Sequence, residues 1–247
     1  MSLEQIHSVT GVPARERGPG PSIADAGPSA GGRIVVRDVV KTYHTLIGRK
    51  RVLDGVSFDI GMGDKIAVLG KNGAGKSTLV KIVGGVEEPS SGSVSRGLSM
   101  SWPVALSGGF ERGMSGIDNI RFAATLYHRD VEDVIAFVDD FAELGRNLFL
   151  AMRYYSSGMS ARLAFALTLA IDFDCYLIDE VMSVGDARFH RKCHDALFVQ
   201  RAHCAMILVS HDVNTLRRYC SKALVLKSGR GRVFDDLELA IKIYDTL

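Results

Sequence analysis

Nine consecutive residues, Gly70-Lys71-Asn72-Gly73-Ala74-Gly75-Lys76-Ser77-Thr78, carry the densest chemistry in the chain. They fit G-x-x-x-x-G-K-[ST] at every fixed position. The glycines let backbone N–H groups turn inward around a polyphosphate, and a following helix would add the positive end of its dipole. Lys76 supplies a point charge for the β- and γ-phosphates, and the Ser77 hydroxyl is a ligand type suited to Mg²⁺. The motif is credible only between a strand and a helix. Here it follows the apolar run Ile66-Ala67-Val68-Leu69 and opens a helical pattern from Ser77 to Val83. The combination implies binding of a nucleoside triphosphate.

Two further sites end apolar runs. Cys175-Tyr176-Leu177-Ile178 leads into Asp179 and Glu180, and Ala205-Met206-Ile207-Leu208-Val209 leads through Ser210 into His211. An aspartate at a strand end can hold Mg²⁺, and a glutamate one residue on can orient an attacking water. In open α/β sheets, ligands sit beyond the carboxyl ends of the strands. Gly70, Asp179 and His211 are therefore expected to converge on one edge of a sheet.

The elements that must position them are legible in outline. Ile34-Val35-Val36 with Val39-Val40, and Val56 to Ile60, read as strands ahead of the phosphate loop. Gly84-Gly85 stops the first helix, and Pro89 to Gly92 is a turn. Residues 116 to 171 are mostly helical, with Ile120, Phe122, Ala123 and Leu126 as one apolar set. Val134, Phe137, Val138, Phe141 and Leu144 form a second. Ala223 to Phe234 reads as a hairpin, and Leu237 to Tyr244 as a closing helix. The sum is an α/β nucleotide-binding core with a mostly helical insertion at roughly 107–172 and a β region ahead of it. Residues 33–247 form this domain. Residues 1–32 hold four of the six prolines and six glycines without periodicity, and read as a disordered tail.

Composition narrows the function. At 247 residues, 47% hydrophobic and 23% charged, the chain is an ordinary globular protein. A formal net charge of +2 gives no nucleic-acid signal. The first thirty residues lack the apolar core of a secretory signal. The longest largely apolar stretch, Leu163 to Ile171, is about half the roughly 20 residues needed to span a bilayer. Any membrane role must run through a partner. Four cysteines without a C-x-x-C pair fit a reduced, cytosolic compartment. His190, Cys193, His194, His203 and Cys204 do not match a zinc spacing, and Phe189, Cys193 and Leu197 fall on one apolar helix face.

Tyr155-Ser156-Ser157-Gly158-Met159, ahead of a helical run, resembles the L-S-G-G-Q signature of the nucleotide-binding subunits of ATP-binding cassette (ABC) transporters, with Arg162 three residues later. Tyr155, Ser157 and Met159 depart from it. The parts with phosphate chemistry remain: the Ser156 hydroxyl, the Gly158 backbone N–H and a helix N-terminus. Ser183-Val184-Gly185-Asp186 matches the family's D-loop, Leu208-Val209-Ser210-His211-Asp212 its switch histidine, and Tyr43 its adenine-stacking ring. The family's Q-loop glutamine is missing. The only glutamines are Gln5 and Gln200, and the region reads Ser101-Trp102-Pro103-Val104-Ala105-Leu106-Ser107-Gly108-Gly109-Phe110. Another group or a water must complete the magnesium shell there. These variants resemble the exporters of capsular polysaccharide and O-antigen, and the end soon after the closing helix is more like the capsule type.

The resemblance implies a P-loop NTPase fold with an N-terminal antiparallel β region. It implies ATP sandwiched in a homodimer, with Mg²⁺ held by Ser77 and Asp179. Tyr43, Gly70 to Thr78, Asp179, Glu180 and His211 would act in one chain, and Ser156 and Gly158 in trans. A separate integral membrane permease would carry a lipid-linked polysaccharide, with this chain peripheral on the cytoplasmic face of the inner membrane. Two rivals remain at this point. One is a soluble ABC ATPase acting on nucleic acid or ribosomes, which would usually show coiled coils or two cassettes. The other is a non-hydrolysing regulatory subunit, which intact Glu180 and His211 oppose.

Overall fold

A computed structural model describes residues 32–45, 48–103, 109–179, 187–210 and 212–247. Two sheets organise them. A three-stranded antiparallel sheet has the order β2-β1-β4, from β1 (Arg33–Thr45), β2 (Gly48–Gly61) and β4 (Ser91–Arg96). The central sheet has the order β5-β6-β3-β7-β8, from β3 (Lys65–Gly70), β5 (Cys175–Asp179), β6 (Ala205–Val209), β7 (Lys222–Lys227) and β8 (Arg230–Phe234). Its first four strands run parallel, and β8 turns back on β7 as a hairpin. The two sheets meet where Asp54 N–H donates to the Gly229 carbonyl.

The parallel strands read as unbroken apolar runs because both of their faces are covered. Ile66, Val68, Leu177, Ile207 and Leu224 face a core shared with α1 (Lys76–Val83) and the antiparallel sheet. Ala67, Leu69, Tyr176, Ile178, Met206 and Leu208 face a second core with the helices. Those helices are α2 (Gly116–Leu126), α3 (Val131–Ala142), α4 (Ser157–Ile171), α5 (Ala187–His194), α6 (Val213–Tyr219) and α7 (Leu237–Asp245). Two 3₁₀ turns at Gly145–Phe149 and Met152–Tyr154 join α3 to α4, and a π-helical stretch at Asp195–Val199 extends α5.

Three differences from the sequence reading stand out. The strands of the first hairpin run 13 and 14 residues, well past their apolar centres. The Pro89 to Gly92 turn gives way at Ser91 to a serine-rich strand, held by main-chain pairing to β1. In α2 the buried face is Gly116, Asn119, Ile120 and Ala124, whereas Phe122 and Leu126 are exposed. Asn119 takes the inner position because its amide donates to the Glu111 and Ser115 carbonyls and its oxygen accepts from Glu111 N–H. A buried polar group bonded in this way carries little penalty.

Candidate functional site

The carboxyl ends of β5, β6 and β3 lie side by side on one edge of the central sheet. Asp179 is the last residue of β5 and pairs with Val209 at the end of β6. Gly70 closes β3, the next strand across. At strand spacings of about 4.8 Å and about 3.3 Å per residue, with Gly70 two residues past the level of Val209, these three ends lie within about 12 Å of each other. The topology thus brings together the phosphate loop and Asp179, and it carries the chain from Val209 through Ser210 toward position 211. Glu180, His211, the segment from Ser183 to Asp186 and residues 104–108 lie outside the described residues.

The phosphate loop has the backbone its motif requires. Gly73 and Gly75 have φ of 81° and 107°, a region that penalises a side chain. A Cβ at Gly70 would press on the Leu226 carbonyl at 2.8 Å, and one at Gly75 on Leu53 at 2.7 Å. Ala74 is buried, and its N–H donates to the Lys71 carbonyl, closing the turn at 3.0 Å. Lys71 and Asn72 are exposed on its rim, and Ser77 and Thr78 sit in the first turn of α1.

The start of α1 differs from the starts of five other helices. Ser115, Asp130, Ser156, Asp212 and Asp236 cap α2, α3, α4, α6 and α7 with side-chain oxygens. Gly75 offers α1 no side chain and no cap bond. The first N–H groups of a helix need a partner from outside it. Lys76 Nζ meanwhile donates to the carbonyls of Gly70 at 2.6 Å and Lys71 at 3.3 Å. Uncapped donors and an ammonium on weak acceptors suit a polyphosphate.

Tyr43 is half-buried, and its hydroxyl donates to Glu87 just beyond α1 at 2.8 Å. The Lys41 ammonium lies 5.3 Å from the ring centroid and 3.1 Å from the Glu87 carboxylate. Partial desolvation pushes the Glu87 carboxyl up, but the bonds from Lys41 and Tyr43 outweigh it and hold it below its ordinary value. The ring is therefore fixed in place.

Ser156 caps α4, accepting from Met159 N–H at 3.2 Å, and is exposed. Its own proton remains available to an outside acceptor. At Gly158, φ is not left-handed, and a Cβ would meet only Ser156 Oγ, at 3.8 Å. Nothing in the chain itself requires glycine there. Tyr155, which stands where the family signature has leucine, is buried. Its hydroxyl donates to the Asn147 carbonyl at 2.7 Å, tying the 3₁₀ turn to the start of α4. Gly116 makes room for it, since a Cβ there would overlap the Tyr155 hydroxyl. Burial pushes the Tyr155 phenol above its ordinary value, with the Gly116 backbone N–H opposing.

Where the Q-loop glutamine is missing, the structure describes an extended segment anchored to β5. Ser101 N–H donates to the Cys175 carbonyl, and its buried Oγ accepts from Leu177 N–H. Trp102, the single tryptophan, packs against Tyr127 and Phe173 with centroids 5.7 and 5.4 Å away. These contacts tie the segment at Ser101 and Trp102 to the end of α2 and to the entry of β5. Spacing could not foretell them, because the three rings come from distant parts of the chain.

Among the described residues, no group of three or more potential metal ligands forms a site. His194 Nδ1 lies 2.9 Å from Asp195, its Nε2 meets the Tyr219 hydroxyl, and Cys193 faces the core.

The comparisons with known proteins agree with this geometry. The ABC transporter family model matches residues 53–183. The capsule polysaccharide export ATP-binding protein CtrD of Neisseria meningitidis is 48% identical, covering 87% of this chain and 99% of that protein. ATP-binding protein BexA of Haemophilus influenzae is 48% identical, covering 86% and 98%. The chain belongs to the ATP-binding subunits of ABC transporters, in the capsular polysaccharide and O-antigen export branch. Its nucleotide is accordingly ATP. Among solved structures, an ATP-binding subunit of an ABC transporter superposes with a TM-score of 0.73 at 22% identity, covering 86% of this chain and 99% of that one. The dimeric ATP-binding cassette MJ0796, bound to ADP and phosphate, gives 0.70 at 21%, covering 81% and 97%. At these identities the likeness concerns the fold.

Proposed function

We propose that this protein is the ATP-hydrolysing motor of a transporter that exports a lipid-linked capsular polysaccharide. Two copies sandwich ATP. Lys76 and the N–H groups opening α1 hold the β- and γ-phosphates of one nucleotide, and Ser156 and Gly158 of the other copy close over it. Ser77 and Asp179 would hold Mg²⁺, which offsets charge on the phosphates when bound. Tyr43 stacks on adenine, Glu180 positions the attacking water, and His211 contacts the γ-phosphate. The observation that carries the ATP part is the uncapped N-terminus of α1 beside Lys76.

The substrate reading rests on near full-length similarity to CtrD, a capsule polysaccharide export ATP-binding protein. Among the described residues, no helix is long and apolar enough to cross a membrane, so the path for the glycan belongs to a separate permease. The exposed Phe122, Leu126, Phe149 and Tyr154 offer apolar surface for such a partner at the inner face of the membrane.

A chromosomal Glu180→Gln strain tests the reading. It should synthesise its polymer, fail to deliver it to the surface and accumulate it in the cytoplasm. Cell fractionation with polysaccharide assay reads the outcome. Normal surface polymer in a strain without a second exporter would show the substrate class to be wrong.

A further inference from the structure

Ser228 and Gly229 form the two-residue turn between β7 and β8, with φ of 50° and 82°. Positive angles at both positions suit a tight hairpin. Gly229 is buried, and the turn lies against β2. Asp54 N–H donates to the Gly229 carbonyl at 2.9 Å. The Asp54 carboxylate accepts from Arg230 Nε at 2.9 Å and from Arg51 Nη1 at 2.8 Å. A Cβ at Gly229 would meet the Val52 carbonyl oxygen at 2.7 Å, with Val52 C and Leu53 Cα at 3.2 and 3.3 Å. All three atoms are main chain, so no side-chain rotation could yield the room.

The same carbonyl has a second neighbour. A Cβ at Gly75, in the phosphate loop, would meet the Val52 oxygen at 2.9 Å. Thr42 pairs with Arg51 and Lys41 with Leu53, which leaves Val52 as an extra residue on β2. Such a bulge bends its strand locally. Here it sets one carbonyl against two glycines from distant parts of the chain. The β7–β8 hairpin also meets the start of the loop, where Gly70 pairs with Leu226. We infer that Gly229 is a positioning residue for nucleotide binding, acting on the phosphate loop through the Val52 carbonyl. The inference rests on the phosphate-loop reading given above. A side chain at position 229 must displace Val52 or open the turn. Either change alters the support of Gly75, the residue from which α1 and its uncapped donors start. Binding groups work only while they are held close to their productive geometry.

Calorimetric titration of purified full-length variants with Mg-ADP, alongside thermal melting, tests this. ADP keeps the inner phosphates and is not turned over. Gly229→Ala should weaken Mg-ADP binding at least fivefold. Gly55→Ala is the control for backbone strain. Gly55 lies on β2 with φ 75°, and nothing stands within 4 Å of its Cβ position. Gly55→Ala should lower the melting temperature and leave the Kd within about twofold of wild type. Gly229→Asn tolerates the left-handed backbone better than alanine does but still brings a Cβ. It should melt above Gly229→Ala and bind Mg-ADP no better than about twofold more tightly than that variant.

Wild-type affinity in Gly229→Ala would overturn the inference. So would recovered affinity in Gly229→Asn, which would trace the loss to backbone strain, or an equal loss in Gly55→Ala. A Gly229→Asn protein that does not fold would overturn it too, because the contact would then serve the fold as a whole. Wild-type affinity for Mg-ADP in Lys76→Ala would sink the phosphate-loop reading and this inference together. Affinity that depends on Lys76 but not on Gly229 would sink the inference alone.

Discussion

Gly158 separates what the chain needs for folding from what it needs for chemistry. Glycine in a helix is less favourable than alanine by about 1 kcal/mol. The space at its Cβ is open, with only Ser156 Oγ at 3.8 Å, and the backbone is not left-handed. Gly158→Ala should therefore melt at the wild-type temperature or slightly above it. Its ATPase rate should nevertheless fall at least tenfold, since the added methyl meets the approaching phosphates of the other copy. Melting curves and steady-state turnover check both halves. A variant as active as wild type would mean that nothing approaches this position. The phosphate loop was readable in the sequence because all its parts lie within nine residues. The packing of Trp102 was not, because Tyr127 and Phe173 lie 25 and 71 positions away.

The start of α4 depends on a fit between two elements that sequence patterns do not connect. The Tyr155 hydroxyl bonds the Asn147 carbonyl, and Gly116 at the start of α2 yields the room. Tyr155→Phe removes that bond, and because the carbonyl still accepts from Leu150 N–H the cost should be about 1 kcal/mol, the net worth of an ordinary hydrogen bond. Gly116→Ala should be worse, because the new methyl overlaps the hydroxyl and also sits 3.1 Å from the Leu148 carbonyl. The double variant removes both the methyl's main obstacle and the bond. Its loss should be smaller than the sum of the single losses by at least about 0.5 kcal/mol, the range seen for touching residues. Denaturant unfolding of the four proteins gives that difference, and strict additivity would contradict the contact. Helix α2 also shows why its inner face was misread. Its apolar residues exceed what its own core takes up, so Phe122 and Leu126 remain outside while Asn119 goes in. Periodicity reports an apolar stripe but not which neighbour it meets. The long hairpin was truncated in the reading for a related reason. Lys41, Arg49, Lys50 and Arg51 look like loop residues, yet β1 and β2 pair through them because main-chain bonds do not depend on side-chain polarity.

In the proposed sandwich, the pairing of two copies would follow from the placement of positive helix ends. Helix α1 begins at Lys76 and α4 is capped by Ser156, both proposed to meet ATP, and each N-terminus carries a partial positive charge. Lys76 adds a full charge beside the first. Bringing α1 of one copy against α4 of another is unfavourable until a polyphosphate lies between them. Dimerisation should thus require nucleotide and persist only while the γ-phosphate does. Glu180→Gln keeps the side chain's shape and loses the carboxylate that positions water, so it should trap the closed pair. Size-exclusion chromatography of this variant should show a monomer without nucleotide or with ADP, and a dimer with Mg-ATP. Adding Lys76→Ala should abolish the dimer, and raising the salt concentration should weaken it, because screening shortens the reach of the charges involved. A chain that stays monomeric with Mg-ATP, or one that dimerises equally without nucleotide, would contradict the sandwich. The loop and the two acids point to an ATPase in the sequence because each follows an apolar run. The strand order β5-β6-β3-β7, which sets those ends side by side, is written nowhere along the chain. It arises because every parallel strand must cover two faces at once, one toward α1 and one toward α4 and α5. The edge proposed for the nucleotide is the one on which β3 and β5 close, at Gly70 and Asp179.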